Sequence, residues 1–307
     1  MNETTFVMES KADGLPLSVM TVVPEGKIRA IVQIVHGMCE YKERYLDFMR
    51  FLASNGYACI IHDHRGHGQS VKQKEDLGYF YEGGYQGLKE DIHQVMLKMK
   101  ADYSEEKLPY YLIGHSMGSL AVRCFVKKYD AEIDKLLVIG CPSKLPGMGP
   151  GLVLIKILEK LKGGKKHSKL LDNIVINSNY EKRYADENIV HAWVNSDRKA
   201  VEAYNADPYC NYTFTINGYR NLVSLTKETY SKGGYVMQNP NLLIRFLSGE
   251  GDPCAISKKD IGKAMNYMKK AGYKNVRAKL YKNMRHEILN EPEHAKVYQD
   301  ILDIFAL

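Results

Sequence analysis

The strongest constraint on this chain is the stretch Tyr110 to Ala121, an apolar run that closes on Gly114-His115-Ser116-Met117-Gly118 and continues at helical spacing. Leu108 to Ile113 is short, apolar and aromatic, the pattern of a buried strand. Met117, Leu120, Ala121, Cys124, Phe125 and Val126 then recur at the period of a helix as far as Tyr129. Glycines on either side of Ser116 let backbone pass close to a tight strand-to-helix turn, which would present the serine hydroxyl at a strand end. Five residues carry little by themselves, and a structural serine in a glycine-bounded turn is the plain alternative. The rest of the chain decides between them.

Phe6 to Glu9 and Leu15 to Val23, split by Ala12-Asp13-Gly14, predict an opening hairpin. A continuous apolar β-branched run at Ala30 to Val35 predicts a strand covered on both faces, Tyr57 to Ile61 and Lys135 to Ile139 predict further buried strands, and Leu242 to Leu247 and Val276 to Leu280 predict two more strands. Helical spacing falls between them, at 44–54, 88–102, 257–270 and 293–305, and Lys72 to Gly87 reads as loop. This alternation predicts an α/β fold, a mostly parallel central sheet with helices on both faces. It breaks between Cys141 and Tyr235. Some 90 residues without a buried strand are far longer than an ordinary connection, so 1–141 and 235–307 are expected to form the core and 142–234 an inserted helical cap.

Ligands of open α/β sheets bind beyond the carboxyl ends of the strands, and the candidate residues all fall there. A serine hydroxyl needs an adjacent base held by an acid. After Ser116, the strand ending at Leu247 runs into Ser248-Gly249-Glu250-Gly251-Asp252-Pro253, which offers Asp252 as the acid and Glu250 in reserve. One strand later comes His286. Of the ten histidines only His286 and His294 follow Asp252, and His294 sits within a helical pattern. Serine, acid, histidine is one of the chain orders in which a nucleophile, its base and an orienting acid are known to occur. His286 would take the Ser116 proton and Asp252 would fix the imidazole tautomer. The N–H groups of Met38 and Met117 are the positional candidates for binding a developing oxyanion. His36 and Glu40 are expected to shape the loop after the third strand.

Other chemistries fit poorly. The formal charge of +7 is too weak for nucleic-acid binding, and no zinc-finger spacing or long basic block supports it. His62, His64 and His67 lack a matching set of cysteines or acids, so no metal and no cofactor is expected, and Asp63 to Ser70 reads as a rigid loop near the site. No 18 consecutive residues are apolar, which predicts no transmembrane span. The amino terminus lacks a signal-peptide pattern, and six scattered cysteines read as reduced core thiols of a cytoplasmic protein.

With those residues placed, the sequence resembles the monoacylglycerol lipase and lysophospholipase branch of the serine α/β-hydrolases, also grouped with serine aminopeptidase-like hydrolases. The resemblance rests on His36-Gly37-Met38-Cys39-Glu40 with Arg44-Tyr45, Asp63 to Ser70, Gly114 to Gly118, Asp207-Pro208 and Gly249-Glu250-Gly251-Asp252, in that order. It implies an α/β-hydrolase fold, an esterase with a cap over an acyl pocket, Ser116, Asp252 and His286 as triad, and Met38 and Met117 as oxyanion donors. The chain departs from the family pattern at Ser119, where a second glycine is usual.

The expected substrate is a small acyl ester or single-chain lipid, monoacylglycerol or lysophospholipid included. Leu152 to Leu161 has a broad apolar face that is expected to pack on the body. The alternative is that it lines an acyl pocket or touches a membrane surface beside Lys165, Lys166 and Lys169. Asn and Tyr side chains in 173–184 and 205–214 suit a polar head group. An aminopeptidase would need cap acids to hold an amine, for which Asp186, Glu187 and Glu202 are available, and a non-catalytic binding protein is a third reading.

Overall fold

A computed structural model of the chain describes residues 1–144, 147–177, 180–255 and 258–307. All eight apolar runs join one sheet in the order β1-β2-β4-β3-β5-β6-β7-β8. These are β1 (Asn2–Glu9), β2 (Pro16–Val23), β3 (Ala30–Val35), β4 (Tyr57–His62), β5 (Tyr110–His115), β6 (Lys135–Ile139), β7 (Leu243–Gly249) and β8 (Val276–Tyr281). The β1–β2 hairpin and the β2–β4 pairing are antiparallel, and β3 to β8 run parallel. Every residue of β3 to β6 is buried, which is why these segments read as mostly apolar.

Helices cover both faces. Leu88, Ile92, Val95 and Met96 of α2 (Gly84–Asp102) and Leu120, Ala121 and Phe125 of α3 (Met117–Tyr129) pack on one side. Phe48, Met49 and Leu52 of α1 (Leu46–Ser54) pack on the other, beside the carboxyl-terminal helix. Three boundaries differ from expectation. β1 begins at Asn2 because an exposed edge strand pairs through its backbone and tolerates polar Asn2 to Thr5. α2 begins four residues before its first buried leucine, at Gly84, inside the stretch read as loop. The helix expected at 257–270 covers Lys258–Ala271, and Ser257 lies outside the described residues.

Within the segment that connects β6 to β7, the only β pairing among the described residues is an isolated bridge from His167 to Thr215. The segment holds α4 (Met148–Lys162), α5 (Lys169–Asp172), α6 (Arg198–Ala206) and α7 (Ile216–Thr229). α4 departs from expectation: its apolar face does not pack on the body. It rests on α7 with only Ile155 fully buried, while Val153, Leu154, Ile157 and Leu161 are 49 to 75% exposed. Apolar residues occupy most of its circumference, and one neighbouring helix covers only one row of them. After β7 come α8 (Lys258–Ala271) and, behind β8, α9 (His294–Ala306).

The Asp63 to Ser70 loop, expected to be rigid, is densely hydrogen-bonded. Asp63 accepts from the Lys42 ammonium at 2.9 Å and from the backbone of Lys42 and Gln69. The fully buried Arg65 guanidinium bonds Asp91 of α2 at 2.9 Å, Asp13 of the hairpin turn at 2.7 Å and Ser10 at 3.0 Å.

The tightest contact lies where α3 leaves the sheet. A Cβ on Gly118 would collide with the carbonyl oxygens of Val35 and His36, both main-chain atoms. Gly118→Ala is therefore expected to cost about 3 kcal/mol. Ser119→Ala, which loses one hydrogen bond to the Ser116 carbonyl, is expected to cost about 1 kcal/mol. Urea denaturation of the two variants checks the ordering.

Candidate active site

Ser116 occupies the turn between β5 and α3 at φ 52°, ψ −117°, a conformation that costs a residue with a side chain about 1–3 kcal/mol. Hydrogen bonds hold it there. Its N–H donates to Ile139 of β6 at 2.9 Å, and its carbonyl accepts from the N–H and the hydroxyl of Ser119 at 2.9 and 2.6 Å. The serine that replaces the family's usual glycine thus braces the turn, a bond that side-chain size alone did not reveal. The result leaves Ser116 partly exposed at the floor of a cavity.

Asp252 follows β7 and His286 follows β8, and the two buried side chains meet. Both carboxylate oxygens lie 3.0 Å from the His286 Nδ1. Burial would raise the Asp252 pKa, but the imidazole, the Cys254 N–H at 2.9 Å and the Ser248 hydroxyl at 3.1 Å outweigh it and hold the carboxyl below its usual range. Glu250 sits at the loop entrance, its N–H on the Tyr281 carbonyl and its own carbonyl on Arg183. Ser116 and His286 line the same cavity, but no hydrogen bond joins the hydroxyl to the imidazole among the described residues. The sulfur of Cys254 lies 3.9 Å from the free ring nitrogen, Nε2.

The loop after β3 closes against the serine. A Cβ on Gly37 would sit 2.9 Å from the Ser116 Cβ, so Gly37 brings the Met38 backbone to the nucleophile's side. Met38 and Met117 both line the cavity, and Met117, as the first residue of α3, has no helical acceptor for its N–H. Glu40 and His36 shape this loop as expected. The Glu40 Oε1 accepts from the Gly37 N–H, from Tyr45 at 3.1 Å and from the His115 Nδ1 at 2.8 Å. His115 Nε2 in turn faces the His286 carbonyl at 3.3 Å. Both ring nitrogens therefore meet acceptors. Burial opposes charge on this ring, but Glu40 raises its pKa, and Glu40 itself is lowered to about 2 against the pull of burial.

The cavity measures about 250 Å³. Leu120, Met148, Val175, Leu222 and Val223 give it an apolar arm, and Tyr204, Asn211, Tyr212 and Thr213 a more polar one. Cap residues missed in the sequence complete the wall beside the histidine: the Trp193 ring stands 5.1 Å from His286, and Tyr180 packs on Trp193. No periodicity marks these aromatic residues, since they sit in irregular backbone. The cap acids proposed for an amine do not line the cavity. Glu187 pairs with Arg285 and Glu202 with Arg198, while Asp186 is exposed.

Residues 26–293 match the family described as "Serine aminopeptidase, S33". The chain belongs to that family. This hydrolase is 24% identical over 283 residues to a monoacylglycerol lipase of Mycolicibacterium smegmatis, covering 91% of this chain and 88% of the relative. It is 32% identical over 197 residues to monoglyceride lipase of Mus musculus, covering 64% and 57%. A carboxyl esterase from Bacillus coagulans solved with glycerol superposes with a TM-score of 0.89 at 24% identity, over 100% of this chain and 98% of that one. The hydrolase thus has the α/β-hydrolase fold with its inserted helical cap, in the group of monoacylglycerol lipases and lysophospholipases.

Behind the β3 loop the hydrolase buries four histidines. His36 and His64 stack at 3.9 Å, and His62 and His67 flank them, each with one ring nitrogen unpaired among the described residues. Burial lowers all four pKa values, His62 to about 3 and His67 to about 4. The unfolded chain binds these protons below pH 6.5 and the folded one does not. Stability is therefore full above about pH 6.5 and falls as pH drops toward 4, by up to about 1.4 kcal/mol per pH unit for each ring. Urea midpoints are expected to decline steeply from pH 6.5 to 5.

Proposed function

We propose that this chain is a serine carboxylic ester hydrolase acting on monoacylglycerol, lysophospholipid or a related small acyl ester. The observation that carries the reading is the Asp252 carboxylate seated on the His286 Nδ1, which leaves Nε2 toward the cavity shared with the strained Ser116. In this reading His286 accepts the Ser116 proton as Oγ bonds to the ester carbonyl carbon. The oxyanion takes hydrogen bonds from Met38 and Met117, and the alcohol leaves with the proton returned by His286. Water then repeats the sequence on the acyl-enzyme. Rotation of the Ser116 side chain on substrate binding closes its hydrogen bond to Nε2, since such bonds often tighten only in the substrate complex. Residues 142–234 act as the cap over the acyl arm.

Ester hydrolysis is favoured over aminopeptidase activity because Glu187 and Glu202 are paired with arginines and, like Asp186, stand outside the cavity lining, while Asp172, the cap acid that lines it, accepts from the Tyr219 hydroxyl. Wild type is expected to hydrolyse p-nitrophenyl esters from acetate to laurate with a chain-length optimum, and to label at Ser116 with a fluorophosphonate. Ser116→Ala should lose both, and Asp252→Asn should lower kcat by about 10⁴-fold. Release from aminoacyl-aminocoumarins at rates matching the esters would reverse the substrate assignment, and a wild type inert to probe and esters would favour a binding protein.

The exposed Val153, Leu154, Ile157 and Leu161 of α4 stand among exposed Lys156, Lys160, Lys162 and Lys166, a face suited to an anionic lipid surface. No helix of the described residues is long and apolar enough to cross a membrane, so contact would be peripheral and transient. All six cysteines are free and buried, which suits the reducing cytoplasm. Wild type is expected to sediment with phosphatidylglycerol vesicles at low salt. Leu154→Glu/Ile157→Glu should abolish sedimentation while short soluble esters are still hydrolysed.

A further inference from the structure

The sulfur of Cys254 stands 3.9 Å from the His286 Nε2, the nitrogen assigned above to proton transfer. A thiolate and an imidazole bound to one tetrahedral zinc, at about 2.3 and 2.0 Å, lie about 3.5 Å apart. The two ligand atoms therefore need to approach by only a few tenths of an ångström. Behind the ring, Asp252 accepts from Nδ1 at 3.0 Å, the carboxylate support that orients a metal-binding histidine and fixes its tautomer. Cys254, His286 and Asp252 are buried with their ligand atoms within 4.8 Å of one another.

A separate observation marks the same corner. The Ser143 hydroxyl is buried and has no hydrogen-bond partner among the described residues, in a residue 6% exposed. Its N–H donates to the Cys254 carbonyl at 2.9 Å, and the residue lines the cavity with Cys254, His286 and Ser116. Rotation about χ1 toward the cavity, which the residue lines, is needed before this hydroxyl meets a metal-bound water.

We propose that Cys254 and His286 form an inhibitory site for a thiophilic divalent cation, Zn²⁺ or Cd²⁺, whose occupancy excludes ester turnover. The inference rests on the reading of His286 as the general base. Binding of M²⁺ releases the Cys254 thiol proton to solvent and uses the Nε2 lone pair, giving a thiolate–imidazole complex completed by water or the Ser116 hydroxyl. No electron changes hands. The lone pair that holds the metal is no longer available to receive the Ser116 proton, so inhibition is a matter of competition for one nitrogen. Mg²⁺ and Ca²⁺, which prefer oxygen ligands, are expected to have no effect.

Two measurements on the full-length protein test the site. Cd²⁺ added to Ser116→Ala is expected to raise a thiolate-to-cadmium charge-transfer band that is missing from Ser116→Ala/Cys254→Ala. That readout needs no turnover, so it stands or falls independently of the esterase reading. Zn²⁺ is expected to inhibit wild-type ester hydrolysis reversibly, with EDTA restoring the rate. Relative to each variant's own metal-free rate, the inhibition constant should rise at least about tenfold in Cys254→Ala and in the closely sized Cys254→Ser. Equal bands with and without Cys254, or an inhibition constant that neither substitution moves, overturns the proposal.

Discussion

One buried carboxylate ties the candidate site together. Glu40 receives the Gly37 N–H of the β3 loop, the Tyr45 hydroxyl ahead of α1 and the His115 ring beside the elbow, while His115 reaches on to the His286 carbonyl. Arg44 extends the set through Glu287 at 2.5 Å. Three segments far apart in sequence are thus fastened by charge-assisted bonds in a region that excludes water, where such bonds are strong when satisfied and removal of one partner is severe. The expected oxyanion donors are backbone groups and cannot be tuned by their own side chains. Their placement is inherited from Glu40.

The sheet was legible in the sequence because strands buried on both faces are mostly apolar, and β3 to β6 each admit few polar side chains, such as the Gln33 that donates to Ile92. Ser116, Asp252 and His286 were legible for a related reason: a parallel sheet sends its strand ends to one rim, so residues just past three strands must converge. The edge strand β1 was underestimated, since its pairing is made by backbone and leaves its polar residues unmarked. The cap wall was not legible at all. Trp193 and Tyr180 reach the histidine from irregular backbone, where no repeat announces which side faces inward. Cys254 was passed over because nothing in the sequence beside it resembles a motif; its closeness to Nε2 follows from the turn after Asp252.

α4 shows the limit of reading amphipathicity as burial. An apolar stripe states that a face avoids water without saying what replaces it, and here a single neighbouring helix covers only part of it. The cap is nonetheless fastened to the body at defined points. Tyr41 donates to Asp207 at 2.7 Å, Tyr204 donates to the Cys39 carbonyl at 3.0 Å, and the Glu287 N–H donates to Val194 at 2.9 Å. These anchors surround the cavity on its polar side, whereas α4 stands over the apolar arm with few ties.

The Arg65 guanidinium draws two of its acceptors, Ser10 and Asp13, from the opening hairpin. That antiparallel pair looks like an ornament on a parallel sheet, attached at its margin and remote from the chemistry. Its turn nevertheless neutralises a cation in the protein's interior. Removing the hairpin would leave that cation with Asp91 and the Phe80 carbonyl, so the hairpin belongs to the folding unit.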